Sequence, residues 1–408
     1  MNSDISRRGF LASSSVAAIT LASPSIASSA QAPDPIGHII TRWRSDPFAG
    51  GSYSYLAKGA DTNDRGVLRA SVGDRLYFAG EACSSGHPST VHGALISGRR
   101  VGKSVAKSHR QVAIIGAGAA GLAAANELVG ASVEVMVFEA RDRIGGRVWS
   151  DDRLGEVLDL GASWVHGATR NPAKALADRA GARLLRTDYD SFVARGSCGV
   201  EIEPDELPDW FETVAEVEQE FGADANLLSP SAHLEGAEQY GGDYVFPDGY
   251  AQIFKPLMGG FDLRLGQVVQ AIHHDDEGVR IVTDQELRFD AVIVTVPLGV
   301  LKAGAIQFLP ALPAVKLGAI DRLGMGHLSK TYLKFDRVFW EPGVEWIGYG
   351  GDERGVFSQW LNIHKFTGAP ILLAFHAGAV ADRLEMQSDE AIVGQAMQAL
   401  NAMYFDKC

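Results

Sequence analysis

The chain has 408 residues, 46% of them hydrophobic and 21% charged, with a formal net charge of −13. That length supports two ordinary domains with a sizeable core. The acidic balance argues against a nucleic-acid partner and is compatible with a cationic substrate. Cys83, Cys198 and Cys408 show no C-x-x-C or metal-ligand spacing, so they read as incidental thiols and no metal is expected.

In chain order, the first 32 residues stand apart. SRRGFL sets Arg7 and Arg8 ahead of a modestly apolar, Ser-rich run that ends in Ala30-Gln31-Ala32, the small-x-small pattern cut by signal peptidase. This segment resembles a twin-arginine (Tat) export signal, a route for folded proteins, so a periplasmic or secreted location is expected. Its Ser, Thr and Pro interruptions argue against a stable membrane span. Two blocks follow, PDPIGHIITRWRSDPFAGGSYSYL (Pro33–Leu56) and LYFAGEACSSGHPSTVHGALISGRRVGKSVA (Leu76–Ala106), and their sense depends on what comes after them.

From Arg110, RQVAIIGAGAAGLAAANEL reads as a strand, a glycine turn and a helix. Gly116 permits the tight turn, Gly118 lets the backbone approach a pyrophosphate, and Gly121 allows close packing of helix on strand. The helix N-terminus, with Ala120 in its first turn, then presents free N–H groups to phosphate. A second strand, VEVMVFEA, ends at Glu139, where a carboxylate accepts hydrogen bonds from ribose hydroxyls. In RDRIGGRVWS, Arg141 and Arg147 flank Gly145 and Gly146, a set of guanidinium and backbone donors suited to a pyrophosphate. Further on, Leu207, Trp210, Phe211, Val214, Val217 and Phe221 recur at helical spacing. Glu206, Asp209, Glu212, Glu216 and Glu220 fill the other faces, which predicts a helix with a solvated acidic side.

The G-G-R extension resembles FAD-binding flavoproteins more than nicotinamide dehydrogenases. LDLGASWVHG (Leu158–Gly167), Asn171-Pro172, YVFPDGYAQIFKPL (Tyr244–Leu257), AVIVTVPLGVLKAG (Ala291–Gly304) and GMGHLSKTYLKFDRVFWEP (Gly324–Pro342) follow. With these motifs the chain resembles the flavin-dependent amine oxidase family, in the manner of polyamine oxidases and lysine-specific histone demethylases. In that family a P-x-P-I-G-x-x-x-T-R-W run and a flavin-binding helix come last. Here they are the two leading blocks. The resemblance therefore implies a circular permutation, in which the old C-terminal helix runs through Lys107-Ser108-His109-Arg110 into the first strand. Such a rearrangement is tolerated where termini lie close together at the surface.

The resemblance implies a two-domain α/β flavoprotein, with a Rossmann-type FAD domain and a substrate domain of mixed sheet and helices. After the signal (1–32), the expected segments are a flavin-site part of the substrate domain (33–61), FAD domain (62–170 and 250–301) and substrate domain (171–249 and 302–408). Cofactor residues are then Trp43, Glu81, Thr90, Val91, Gly116, Gly118, Ala120, Gly121, Glu139, Arg141, Gly146, Arg147, Gly161, Ser163, Trp164 and Val269, with Phe48 packing nearby. Ser52 stands where monoamine oxidases carry a flavin-linked cysteine, so FAD is expected to be non-covalent.

Lys330 matches the lysine placed beside flavin N5 through a bridging water, while Lys334 is the ordinary lysine. Tyr53 supplies one aromatic wall. The second wall falls at Thr90, which leaves the sandwich incomplete, and His87 stands where some relatives carry an aromatic residue. His166 matches a histidine that polyamine oxidases use near the amine. The activity implied is oxidation of a polyamine or aliphatic amine to an imine, with hydride transfer to flavin N5 and reduction of O2 to hydrogen peroxide. L-Amino-acid oxidation, which needs a carboxylate-binding arginine, and non-catalytic FAD binding are the alternatives. No chromatin-binding module is visible, which argues against histone demethylation.

Overall fold

The apolar runs that flank the glycine turn build the larger of two compact units, Arg42–Arg186 with Phe221–Leu328. A computed structural model describes residues 31–407, so the export motif, apart from Gln31 and Ala32, lies outside the described residues. In this unit β1 (Leu76–Phe78), α1 (Val91–Val105), β2 (Gln111–Ile115), α2 (Ala119–Gly130), β3 (Glu134–Phe138), β4 (Asp262–Arg264) and β5 (Ala291–Val294) form the nucleotide half. The strands lie in the order β4-β3-β2-β5-β1, and every neighbouring pair is parallel. Val112, Ile114, Val292 and Ile293 are wholly buried, as expected for a parallel sheet covered on both faces.

The leading block thus supplies an integral strand. Phe78 pairs with Val294 while Val294 pairs with Ile115. It also supplies the helix that covers the sheet. Gly98 and Gly102 sit one turn apart on α1, and a Cβ at these positions would lie 2.0 Å from Ala120 O and 2.8 Å from Ala124 O. Glycine therefore sets the approach of α1 to α2. Leu95, Val101 and Val105 join Leu122, Leu128, Val137 and Phe254 in one core.

The connection from α1 to β2 is a packed turn. His109 is buried and its N–H donates to Val105 O. Arg110 N and Gln111 N both donate to Asp290 Oδ2, at 2.7 and 2.9 Å.

The smaller unit consists, among described residues, of 31–41, 187–220 and 329–407. Its sheet has seven strands, in the order Gly37–Ile40, Leu328–Lys334, Ile371–Ala377, Gln359–Asn362, Trp346–Tyr349, Phe192–Arg195 and Glu201–Ile202. Helix Asp389–Tyr404 lends Ile392, Leu400 and Met403 to a core with Leu333, Trp360 and Leu372.

These boundaries differ from the expected ones. Residues 42–61, 171–186, 221–249 and 302–328 lie in the larger unit. Ala173, Leu176 and Ala177 share a core with Tyr250 and Phe254. Lys316 Nζ reaches across the larger unit to donate to Val67 O, Leu68 O and Ala70 O.

Two sequence expectations are corrected. The helix through Trp210–Phe221 is interrupted by a π turn over Thr213–Glu218. The wider turn shifts the side chains that follow. Leu207, Phe211 and Val214 are buried as expected, but so are Glu218 and Gln219, and Glu216 and Glu220 are half-buried. Glu218 Oε1 accepts from Arg354 Nη2 at 2.6 Å. The acidic side is therefore not simply a solvated face.

Cys198 is disulfide-bonded rather than an incidental thiol, because chain spacing does not report which cysteines tertiary packing brings together. Cys83 is free and buried, and burial pushes its thiol up to about 12. Among the described residues, no helix is long and apolar enough to cross a membrane. No group of His, Cys, Asp and Glu among them suits a metal.

Candidate functional site

The glycine turn has the geometry its spacing predicts. Gly116 adopts φ +105°, and a Cβ on Gly121 would fall 1.9 Å from Gly116 O. Gly118 is the N-cap of α2 and offers no side chain to it, so the first-turn N–H groups are not satisfied by a side-chain cap. Ala120 is buried in that turn. Thr295, at the end of β5, locks the loop by donating from Oγ1 to Ile115 O at 2.8 Å, with Gly116 O at 3.1 Å.

Glu139 is buried. Its Oε2 accepts from Ala117 N at 2.8 Å and its Oε1 from Arg141 N at 2.9 Å. Each oxygen keeps a further lone pair for a ribose hydroxyl. The segment that carries Val269 lies against this strand end, for Gln267 N donates to Glu139 O and Gly266 N to Arg141 O. Val269 itself is buried.

The arginines are held by carboxylates from the leading block, which no local pattern announces. Arg141 Nη2 donates to both Asp46 oxygens at 2.8 Å, and its guanidinium lies over the Phe48 ring. Arg147 Nη1 donates to Glu81 Oε1 at 3.0 Å and to Ser52 O at 2.8 Å. Glu81 also accepts from Ser54 Oγ at 2.6 Å and Ser89 N at 3.1 Å. Burial raises the Glu81 carboxyl, but Arg147 and Arg65, with the Ser54 hydroxyl, outweigh that and hold it below its ordinary value.

Arg143, which the sequence motifs do not single out, spends Nη1 on Gly146 O and Ile144 O. It stacks over Trp149 at 4.4 Å, while its Nη2 is buried without a partner. Burial, reinforced by Arg141, depresses its guanidinium to about 10. A buried, unpaired guanidinium Nη2 beside an uncapped helix N-terminus fits a dinucleotide pyrophosphate.

The aromatic residues and the Leu158–Gly167 motif share this unit. Trp43 is buried and donates from Nε1 to Leu160 O at 3.1 Å, and a Cβ on Gly161 would lie 3.3 Å from its ring. Ser163 Oγ donates to Asp159 O at 3.1 Å. Tyr53 O accepts from Gly326 N at 2.7 Å, and Ser52 N donates to Gly326 O. The leading block therefore pairs directly with the Gly324–Leu328 motif. Ser52 Oγ is engaged with Leu328, donating to its O at 3.0 Å and accepting from its N at 2.9 Å.

Thr90 is the N-cap of α1, its Oγ1 accepting from Gly93 N and donating to His87 O, and Val91 opens the helix. Trp164 stacks on His166. His166 Nδ1 bonds Asp243 Oδ2 at 2.7 Å, a partner with no signal in sequence. Trp43, Tyr53, Glu81, Thr90, Gly116, Glu139, Gly146 and His166 are thus all in the larger unit.

Lys330 lies in the smaller one. It is only 3% exposed, and its backbone exchanges hydrogen bonds with Thr41. Lys334 is half-buried at the end of the same strand.

The family model for flavin-containing amine oxidoreductases matches residues 18–106, 119–197 and 190–407. Polyamine oxidase 2 of Arabidopsis thaliana is 34% identical over 359 residues, covering 72% of each chain. Polyamine oxidase 3 of Oryza sativa subsp. japonica is 35% identical over 361 residues, covering 72% of this chain and 73% of that one. A redesigned putrescine oxidase shares the fold, with a TM-score of 0.53 at 19% identity over 72% of this chain and 81% of its own. The chain therefore belongs to the flavin-containing amine oxidoreductase family and is an FAD-dependent amine oxidase.

Proposed function

We propose that the enzyme oxidises a polyamine or related aliphatic amine, using non-covalent FAD and O2, and that its chain is a working circular permutant. The observation that carries the reading is the convergence, in one compact unit, of the Gly116–Gly121 turn, the Glu81–Arg147 pair and His166–Asp243. Ser52 supports non-covalent binding, since it is an alcohol whose hydroxyl is occupied by Leu328. The polyamine oxidases among the relatives support the substrate class. The in-register strand β1 and the contact of α1 with α2 support the permutation.

When bound, FAD would supply the hydride acceptor and the redox link to oxygen. The residues of the chain would bind and orient it: the N-terminus of α2 and Arg143 would face its phosphates and Glu139 its ribose hydroxyls, while Glu81 keeps Arg147 in place. His166, with Nδ1 fixed by Asp243, has a defined ring orientation from which Nε2 accepts a proton or hydrogen bond of an amine. We assign Lys330 proton and oxygen traffic, a role supported by its burial and by the family motif around it.

Anaerobic addition of spermidine is expected to bleach the yellow enzyme. Lys330→Met should slow turnover in air by roughly 10²-fold, the size of a lost proton-transfer group. Leucine reducing the flavin faster than spermidine would overturn the substrate reading.

We also propose Tat export to the periplasm or outside the cell. Arg7-Arg8 supports this, as does the disulfide at Cys198, a linkage that persists in oxidising compartments. Cell fractionation with N-terminal sequencing should find a secreted chain beginning at Pro33. A cytoplasmic chain that retains Arg7 and Arg8 would refute it.

A further inference from the structure

Three segments of the larger unit are stitched into one corner. Ala237 N donates to Gly86 O at 2.7 Å, Thr169 N to Tyr240 O at 2.8 Å, and Ala168 N to Gly242 O at 3.1 Å. Asp243 closes the corner by accepting from Gly167 N at 2.8 Å as well as bonding His166. Gln239 packs on Gly167 so closely that a Cβ there would lie 2.4 Å from Gln239 Cβ. The His87 ring stands 4.6 Å from that of His92, whose imidazole burial depresses to about 3.

Two polar atoms in this corner are buried without a hydrogen-bond partner, His87 Nδ1 and Gln239 Oε1. A buried acceptor stripped of water destabilises the fold unless something donates to it. Both atoms are acceptors once the His87 proton is assigned to Nε2. An amide oxygen only accepts, and a neutral imidazole with its proton on Nε2 offers a lone pair at Nδ1. Burial lowers the pKa of His87, which favours the neutral ring.

Nearby acids are otherwise engaged, Glu235 with Arg65 at 2.8 Å and Glu238 with the Tyr240 hydroxyl. Two unsatisfied acceptors backed by the Asp243 carboxylate select a cationic N–H donor and repel a carboxylate.

We propose that His87 and Gln239 bind the second, distal ammonium of a di- or polyamine substrate and so determine specificity. This rests on the amine reading above and narrows it to amines with two cationic nitrogens. Sites built to hydrogen-bond a substrate group discriminate steeply against analogues that lack it.

The test compares 1,4-diaminobutane with n-butylamine in anaerobic flavin reduction, using wild-type holoenzyme, His87→Phe and Gln239→Leu. Phenylalanine keeps the aromatic volume and removes the acceptor. In the wild type the diamine should half-saturate at a roughly tenfold or more lower concentration than the monoamine. Each variant should erode that ratio by roughly tenfold, with little change in the limiting reduction rate. A ratio unchanged in the variants, or equal losses for both amines, overturns the proposal. If His87→Phe does not fold, Gln239→Leu decides.

Should no amine reduce the flavin, the oxidase reading fails by itself. Calorimetric titration of oxidised holoenzyme with 1,4-diaminobutane then tests the subsite separately. Binding lost in both variants upholds the subsite, and absent or unchanged binding sinks it.

Discussion

Glu81→Ala should cost about 3–5 kcal/mol of stability and release the flavin, because it strips a buried charge from its partners. Glu81 is 5% exposed and takes hydrogen bonds from Ser54, Ser89 and Arg147. Its loss leaves Arg147 with Ser52 O alone and removes the second acid facing Arg65, which keeps Glu235. Urea denaturation and a fluorescence titration with FAD measure the two effects. Glu81→Gln keeps the shape and isolates the charge.

The pH dependence has a defined sign. The folded carboxyl lies below its ordinary value, so its stabilisation is present above that value and fades as pH falls through the folded pKa. Wild type and Glu81→Ala should therefore converge in acid and diverge towards neutrality. A difference that is constant across that window would show that the carboxylate is not the source of the stabilisation.

The second large effect concerns how the leading block joins the rest. Gly98→Val places a branched side chain where even a Cβ lies 2.0 Å from Ala120 O. The obstacle is helix backbone, which cannot swing aside as a flexible side chain does, so α1 and α2 must separate. The cost should exceed about 4 kcal/mol, the range reserved for severe packing faults. The expected product is insoluble or colourless. Gly130→Ala is the control, since a Cβ there meets nothing within 4 Å and alanine favours a helix. Yellow, normally melting Gly98→Val protein would show that α1 does not close this unit, and the permutant reading would go with it.

Much of the nucleotide half is legible in the amino-acid order. Gly116, Gly118 and Gly121 act through the backbone within a single turn, and Glu139 ends a strand that pairs with the one before it. Chain proximity alone places them. The leading block is legible because its motifs are long, although no motif says that Phe78 pairs in register with Val294. The π turn at Thr213–Glu218 is not legible, because apolar spacing assumes a regular helical period. One widened turn redirects Glu218 without altering the pattern upstream.

By itself the sequence determined the strand–turn–helix unit, the order of the family motifs and the residue types at the candidate flavin site, since these depend on local backbone geometry and side-chain chemistry. Only the tertiary structure decided which charges meet. Asp46 and Arg141 are separated by 95 positions, as are Ser52 and Arg147, and His166 and Asp243 by 77. A buried ion pair or hydrogen bond is selected by distance in the folded core, where desolvation makes an unmatched partner costly. Spacing along the chain carries no record of that distance.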